Sequence, residues 1–425
     1  MERMLIMRAQ LAIHGGPKAI TDEIRSWPPI TQADRDAVMS VLDSGHLHTR
    51  WAPRASELEK RFAEYCDAEH CIVTNGGTQS LHMALLAVGV KPGDEVILPA
   101  FTYWSSAAAV IQADAVPVFV DTDPVSFCID PALIEAAVTE RTAAIMPVHI
   151  HGMPADLDAV MATASKHGLP VVDDAAQAAG ARYRGRPIGG LTDVTAFSLN
   201  RLKNLTGGEG GLVTTNSDVI NGCAAATGGL GSVTVQTDDG ERVFFGHGYN
   251  YRPTELMAAL TLSQLERLDE HNARRREMAS YLTERLESTP GIAGPTTPAY
   301  ADPVHFMYVV EFRPQELGLD LPVADFKARM WQALEAEGLP ILQWQREIVP
   351  AMEFFQDPRG YAAMPAWRLA GSKVSYAPGD YPRAQEFVDS HAYLRGVHPP
   401  NQIELMDAFL AAMQKVLDTA AAVLA

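Results

Sequence analysis

Lys203 follows a short apolar run, Val194 to Leu199, and precedes a glycine-rich turn, Thr206-Gly-Gly-Glu-Gly-Gly211. Ser198 stands just upstream of the lysine, and a second apolar run, Leu212-Val-Thr-Thr215, follows the turn. An amine held at the end of a strand can condense with a carbonyl. A nearby hydroxyl can hold a phosphate, and glycines let the backbone approach a ligand closely. Taken alone, a lysine beside glycines equally suits a solvated loop, so other segments must support the chemical reading.

Three of them do. Asn75-Gly76-Gly77-Thr78-Gln79-Ser80 lies between the run Cys71-Ile-Val-Thr74 and a helical stretch beginning near Gln79. Its glycines permit close approach, free N–H groups at a helix start attract an anion, and Thr78 adds a hydroxyl. Many strand–helix turns are glycine-rich without binding anything. Thr102-Tyr103-Trp104 follows the run around Val96, where an aromatic either stacks on a flat ring or simply packs. Val172-Asp173-Asp174-Ala-Ala-Gln177 ends another run. Asp174 can pair there with a protonated ring nitrogen, bind a metal or cap a helix. Gln177 lies one helical turn on, within reach of a ring substituent. Together these segments offer a phosphate cup (Gly77, Thr78, Ser198), a ring stack (Tyr103), a carboxylate for a ring nitrogen (Asp174) and an amine (Lys203). Pyridoxal 5'-phosphate (PLP) needs that combination.

The elements that must position these groups are legible in the hydrophobic pattern. Apolar runs recur at Cys71–Thr74, Glu95–Leu98, Val116–Val120, Ala143–Val148, Leu169–Asp173, Val194–Ser198 and Gly211–Thr215. They are continuous rather than alternating, as in strands covered on both faces. Helical spacing fills Gln79–Val88, Trp104–Ala113, Pro131–Val138 and Asp156–His167. The rhythm predicts an α/β fold with a mostly parallel seven-stranded sheet sandwiched by helices. Ligands in such folds sit at the carboxyl ends of the strands, where these candidates fall. Beyond about residue 250 the pattern changes. One helix is expected over Pro253–Leu286, its second half charged and exposed. A smaller C-terminal α+β unit follows, with a strand over Phe306–Phe312 and a closing amphipathic helix over Asn401–Val423. The expected division is an arm (1–30), a large cofactor-binding domain (31–265) and a connecting helix with a small domain (266–425).

Composition bounds the function class. The 425 residues are 47% hydrophobic, enough for a sizeable core, and carry a formal charge of -18. That balance argues against a nucleic-acid or anionic-membrane partner. Cys66, Cys71, Cys128 and Cys223 form no CxxC pair. The opening apolar run is too short for a signal core or a membrane span, so a cytoplasmic protein with reduced thiols is expected.

The motif set resembles the DegT/StrS family of fold-type I PLP enzymes, the sugar and cyclitol aminotransferases. The resemblance runs from Leu11-Ala-Ile-His-Gly-Gly-Pro-Lys18 to the C-terminal helix. It is carried by Asn75-Gly-Gly-Thr78, Pro99-Ala-Phe-Thr-Tyr-Trp104, Asp174-Ala-Ala-Gln177, Phe197-Ser198 through Lys203 to Gly211, and Gly248-Tyr-Asn-Tyr-Arg252. It implies that Lys203 condenses with the PLP aldehyde and that Asp174 holds the pyridine nitrogen. It implies further that Gln177 meets the ring hydroxyl, Tyr103 stacks on the ring, and Gly77, Thr78 and Ser198 hold the phosphate. Asn250 would reach the cofactor of a neighbouring subunit, which implies a homodimer with shared active sites. The residues alone would make Gly248–Arg252 a turn before a helix. By the same resemblance the donor is L-glutamine or L-glutamate and the acceptor a keto-sugar or keto-cyclitol, in antibiotic or aminosugar biosynthesis. PLP and its pyridoxamine form alternate.

Departures bear on the substrate. The His-Pro-Thr run found before the lysine in many members is Asn200-Arg201-Leu202 here, and the small-domain His-Tyr pattern is Leu342-Gln-Trp-Gln-Arg346. Lys203 argues against the dehydrating branch, which carries histidine. A PLP lyase, oxidase or aromatizing enzyme and a non-catalytic regulatory homologue remain rival readings. His149-Ile-His151 has the spacing of a metal pair but lacks a third ligand, and no metal is expected. Glu209 reads as a turn or capping residue, and Arg274-Arg-Arg276 as a solvated helix face.

Overall fold

The computed structural model describes residues 10–48, 53–237, 240–357 and 374–419. Each of the apolar runs forms a strand: β1 (His70–Thr74), β2 (Glu95–Pro99), β3 (Val116–Val120), β4 (Thr142–Ile145), β5 (Val172–Asp174), β6 (Val194–Ser198) and β7 (Gly211–Thr215). The sheet order is β1-β7-β6-β5-β4-β2-β3, with β5 joined to β4 by single parallel bridges at Ile145–Val171 and Val148–Asp174. β7 runs antiparallel to its neighbours β1 and β6, and the other pairings are parallel. Every residue of β2, β6 and β7 is buried, which is why their sequences do not alternate.

Helices α1 (Gln32–Ser44), α2 (Pro53–Tyr65), α3 (Gly77–Ala87), α4 (Trp104–Gln112), α5 (Pro131–Ala137), α6 (Leu157–His167) and α7 (Asp218–Gly228) accompany the sheet. Several begin at side-chain caps: Asp130, Asp156 and Ser217 accept N–H bonds from the first turns of α5, α6 and α7. α3 starts at Gly77 rather than near Gln79, so the glycine pair is the entrance of the helix itself.

The single helix expected over Pro253–Leu286 is two: α8 (Glu255–Leu265) and α9 (Leu268–Leu286). Arg267 leaves helical geometry (φ -114, ψ 3) and sends its guanidinium 2.8 Å to the buried Asp34. α9 is exposed and charged at Glu270, Arg274 and Glu277, as its sequence suggests, but only on one side. His271, Asn272 and Arg275 are buried. Arg274 is exposed, but Arg275 packs over the Trp27 ring at 4.4 Å, so the run 274–276 is only partly a solvated face.

The C-terminal unit is an antiparallel sheet of β8 (Ile292–Ala293), β9 (Tyr308–Phe312), β10 (Ile341–Leu342) and β11 (His391–Leu394), ordered β8-β9-β11-β10. Helices α10 (Val323–Ala336), α11 (Pro382–Ser390) and α12 (Ile403–Leu417) flank it. The expected end of the closing helix, residues 420–423, lies outside the described residues, as do residues 1–9 of the arm. Leu11 and Ile20 from the arm join the same apolar cluster as α9, α10 and α12. The arm is tied down by Glu337, whose carboxylate accepts the Ala12 and Ala19 N–H groups, and by reciprocal bonds between Arg25 and Asn401.

Candidate active site

The chemistry-bearing residues gather at the carboxyl ends of the parallel strands. β1 ends at Thr74 and leads into α3, whose first-turn Gly77 and Thr78 N–H groups have no partner within the helix. β6 ends at Ser198. A Cβ on Gly77 would stand 2.7 Å from the Ser198 Cβ, so glycine lets the start of α3 close on the serine. Gly211, which opens β7, is likewise needed, because a Cβ there would lie 2.7 Å from the Gly76 carbonyl oxygen. Thr78 Oγ1 donates to Ser105 Oγ at 2.9 Å. The Gly77 and Thr78 N–H groups and the Ser198 hydroxyl thus form one group of donors at a helix start, which suits a phosphate.

Asp174 ends β5, beside β6, and is 4% exposed. Its Oδ2 accepts the Ser106 hydroxyl at 2.7 Å and its Oδ1 the Ala176 N–H at 3.1 Å. Burial pushes this carboxyl up, while the hydrogen bonds from Ser106 and Ala176 and the Lys203 charge hold it back. Gln177 Oε1 accepts the His151 N–H at 2.7 Å, which sets the amide so that its NH2 is the remaining donor.

Lys203 sits in a turn in which its N–H bonds to the Asn200 carbonyl. Its Nζ lies 4.4 Å from the centre of the Phe306 ring, and desolvation lowers the amine to about 8 against the pull of Asp174. The turn is fastened from distant segments. Trp27 Nε1 donates to the Lys203 carbonyl at 2.9 Å, and Asn204 Nδ2 donates to Asn272 Oδ1 and to the Val304 carbonyl. Glu209 accepts from Asn200 Nδ2 at 2.8 Å, a turn role as its sequence suggests.

Tyr103 caps the start of α4 and is 49% exposed, with Trp344 stacked against it at 5.5 Å and 18°. Asn250 is placed differently. It is exposed, its carbonyl accepts from Asn75 Nδ2, and its side chain accepts from Arg252 Nε. Among the described residues, no hydrogen bond joins the Asn250 side chain to Ser198, Asp174 or Lys203. The two histidines of the His149-Ile-His151 pair go separate ways. His149 Nε2 meets Asp173 at 2.9 Å, whereas His151, in the left-handed region at φ 58, meets the Tyr393 hydroxyl at 2.9 Å.

Sequence reading missed Ser105, Ser106, Trp27, Phe306 and Asn272. The serines had a signal: they share the first turn of α4 with Tyr103. Trp27 and Phe306 had none, because their contacts span the chain.

The arrangement accepts PLP on its own terms. It supplies a readily neutral amine, donors gathered where glycine lets the start of α3 close on Ser198, and a buried carboxylate with both oxygens held.

The fold is that of the fold-type I PLP enzymes, and comparison with known proteins defines the class further. The model of the DegT/DnrJ/EryC1/StrS aminotransferase family matches residues 28–341. The chain is 38% identical over 357 residues to the L-glutamine:scyllo-inosose aminotransferase of Streptomyces griseus, covering 80% of this chain and 82% of that one. It is 42% identical over 264 residues to the GDP-perosamine synthase of Caulobacter vibrioides, covering 61% and 68%. The crystal structure of 3-amino-5-hydroxybenzoic acid synthase superposes with a TM-score of 0.80 at 29% identity, covering 94% of this chain and 99% of that one. The chain belongs to the DegT/DnrJ/EryC1/StrS aminotransferase family. No described helix is long and apolar enough to cross a membrane.

Proposed function

We propose that the protein is a PLP-dependent aminotransferase that moves the amino group of L-glutamine or L-glutamate to a keto-cyclitol or keto-sugar. The observation that carries this reading is the convergence of Lys203, Asp174 and the Gly77–Thr78–Ser198 cup on one sheet edge. Bound PLP supplies a carbonyl that takes up the donor nitrogen and a ring that accepts the electrons released at the donor carbon. Ser198, Thr78 and the Gly77 N–H hold the phosphate. Asp174 keeps the ring nitrogen protonated. Gln177 Nε2 orients the ring hydroxyl, and Tyr103 covers the ring face. Lys203 Nζ, neutral above about pH 8, takes the proton from the donor Cα and returns it one position away. The relative named for scyllo-inosose matches 80% of this chain, which favours a cyclitol acceptor in antibiotic or aminosugar biosynthesis.

The working unit in this reading is a cytoplasmic homodimer in which Asn250 serves the partner's site. Asn250 is exposed, and Met39, Leu42, Leu47 and Leu202 are each 48–50% exposed, apolar side chains that a second copy could cover. The division into arm, large domain (31–265) and small domain (266–425) belongs to the same reading; α9, α10 and α12 share an apolar cluster that also takes in Leu11 and Ile20 of the arm.

The test is to mix PLP-loaded protein with L-glutamine, then with L-glutamate, and record the visible spectrum. Loss of the band of lysine-bound PLP with release of pyridoxamine phosphate is expected with at least one donor. Persistence of the band with both would reject transamination from these donors and favour lyase, oxidase or aromatizing chemistry. Lys203→Ala is expected to abolish turnover; appreciable activity in that variant would sink the assignment.

A further inference from the structure

We propose that Ser106 is a positioning residue for Asp174, the middle member of a hydroxyl relay that runs from Thr102 and holds the carboxylate ionised and aimed. The proposal rests on the PLP reading, because it gives Asp174 its task. The geometry fixes the direction of the relay. Ser106 is 1% exposed and its Oγ lies 2.7 Å from Asp174 Oδ2. An ionised carboxylate only accepts, so the single hydroxyl proton of Ser106 points at Asp174. Thr102 Oγ1 lies 2.8 Å from Ser106 Oγ and is therefore the donor in that pair. Thr102 is fully buried, and its carbonyl is in turn held by Gln345 Nε2 from the C-terminal unit. The other carboxylate oxygen is held by the Ala176 N–H at 3.1 Å. Each oxygen of Asp174 thus has one fixed donor, and the carboxylate plane is set before any ring arrives.

The relay also couples to protonation. A neutral Asp174 carrying its proton on Oδ2 would have to donate to Ser106, which would then donate to Thr102, reversing both bonds. Ser106 opposes that reversal: burial favours the neutral acid, and the hydroxyl bond favours the anion. The placement is structural as well as electrostatic. Ser105, the neighbouring residue on α4, receives the Thr78 hydroxyl at the phosphate cup. One turn of α4 therefore braces the cofactor site at both ends, with Tyr103 at its start. Ser106 touches Asp174 and not the reacting atoms, so its effect passes through the carboxylate.

The test uses the full chain with and without PLP, in Ser106→Ala and Thr102→Val. In cofactor-free protein carrying 13C-carboxyl aspartate, the Asp174 resonance, assigned by Asp174→Asn, is titrated. In loaded protein, ring-labelled 15N-PLP reports whether the ring nitrogen is protonated. Ser106→Ala is expected to raise the Asp174 midpoint and to move the ring nitrogen toward its unprotonated position. The donor half-reaction should slow by about ten- to a hundredfold, the range for a hydrogen bond to a charged group. Donor KM should stay near wild type. Thr102→Val should shift the same readouts the same way by less, and it carries the test if Ser106→Ala does not fold. A purely structural role would lower the melting temperature while leaving the titration and the 15N shift at wild-type values, and that result overturns the proposal. If wild-type protein fails to bind PLP, the PLP reading falls, whereas the cofactor-free titration still judges the relay.

Discussion

Lys203 shows how a single residue is prepared by what surrounds it. Desolvation disfavours the ammonium, the Asp174 charge favours it, and desolvation prevails, leaving the amine at about 8 instead of 10.5. A neutral amine is the form that attacks an aldehyde. The rate at which cofactor-free protein captures PLP is therefore expected to rise through about pH 8 in stopped-flow absorbance. Asp174→Asn removes the charge that supports the ammonium, so that variant's midpoint should move to lower pH. A midpoint unchanged in Asp174→Asn would mean that the two groups do not sense each other. Stability follows the same shift. The folded midpoint lies below the unfolded one, so between about pH 8 and 10.5 the unfolded chain holds more protons. Cofactor-free protein should thus gain stability across that window as pH rises, and lose the gain as pH falls through 8. Lys203→Met should flatten this part of a urea-midpoint profile.

At the scale of elements, the strands were legible because each is buried on both faces, leaving unbroken apolar runs such as Val194–Ser198. The four strand-end segments were legible for a related reason: glycines and polar side chains interrupt apolar sequence where the carboxyl ends of the strands open. What escaped the sequence was tertiary in origin. The break between α8 and α9 follows from the Arg267–Asp34 pair, whose members are far apart in the chain. Arg275 reads as a surface charge until Trp27 is seen stacked beneath it. Ser106 sat in view, one turn from Tyr103 on α4, but its partner Asp174 ends β5. The start of α3 makes the sharpest prediction at this scale. Gly77→Ala would force a Cβ to within 2.7 Å of the Ser198 Cβ, where backbone and side chain are both packed. Overpacking of that kind costs about 1–3 kcal/mol. The strain falls on the phosphate cup, so PLP affinity measured by equilibrium dialysis should drop by about five- to a hundredfold. Gly15, whose Cβ would meet nothing within 4 Å, is the control for affinity: Gly15→Ala carries a left-handed backbone penalty (φ 94) yet should bind PLP as wild type does.

At the scale of the whole molecule, the arm, the sheet and the C-terminal unit meet at the lysine. Residues 10–30 are held by Glu337 and Asn401 of the C-terminal unit, and Trp27 from the same arm holds the Lys203 carbonyl. One chain therefore assembles amine, carboxylate and cup from distant segments, yet leaves Asn250 exposed and unconnected by any described side-chain bond to them. If Asn250 completes the partner's site, mutant subunits should rescue each other. In a mixed dimer of Lys203→Ala and Asn250→Ala chains, the site with intact Lys203 receives intact Asn250 from its partner. The other site lacks both. Random reassociation of equal amounts puts half of the dimers in the mixed form with one working site each, so activity should return to about a quarter of wild type. If Asn250 served its own chain, neither site of the mixed dimer would be complete. Mixing would then recover nothing beyond the residual activity of the Asn250→Ala parent. The experiment needs subunits that exchange, shown by recovery of differently tagged mixed dimers. With exchange established, failure of complementation would confine Asn250 to its own subunit and remove the main argument for shared active sites.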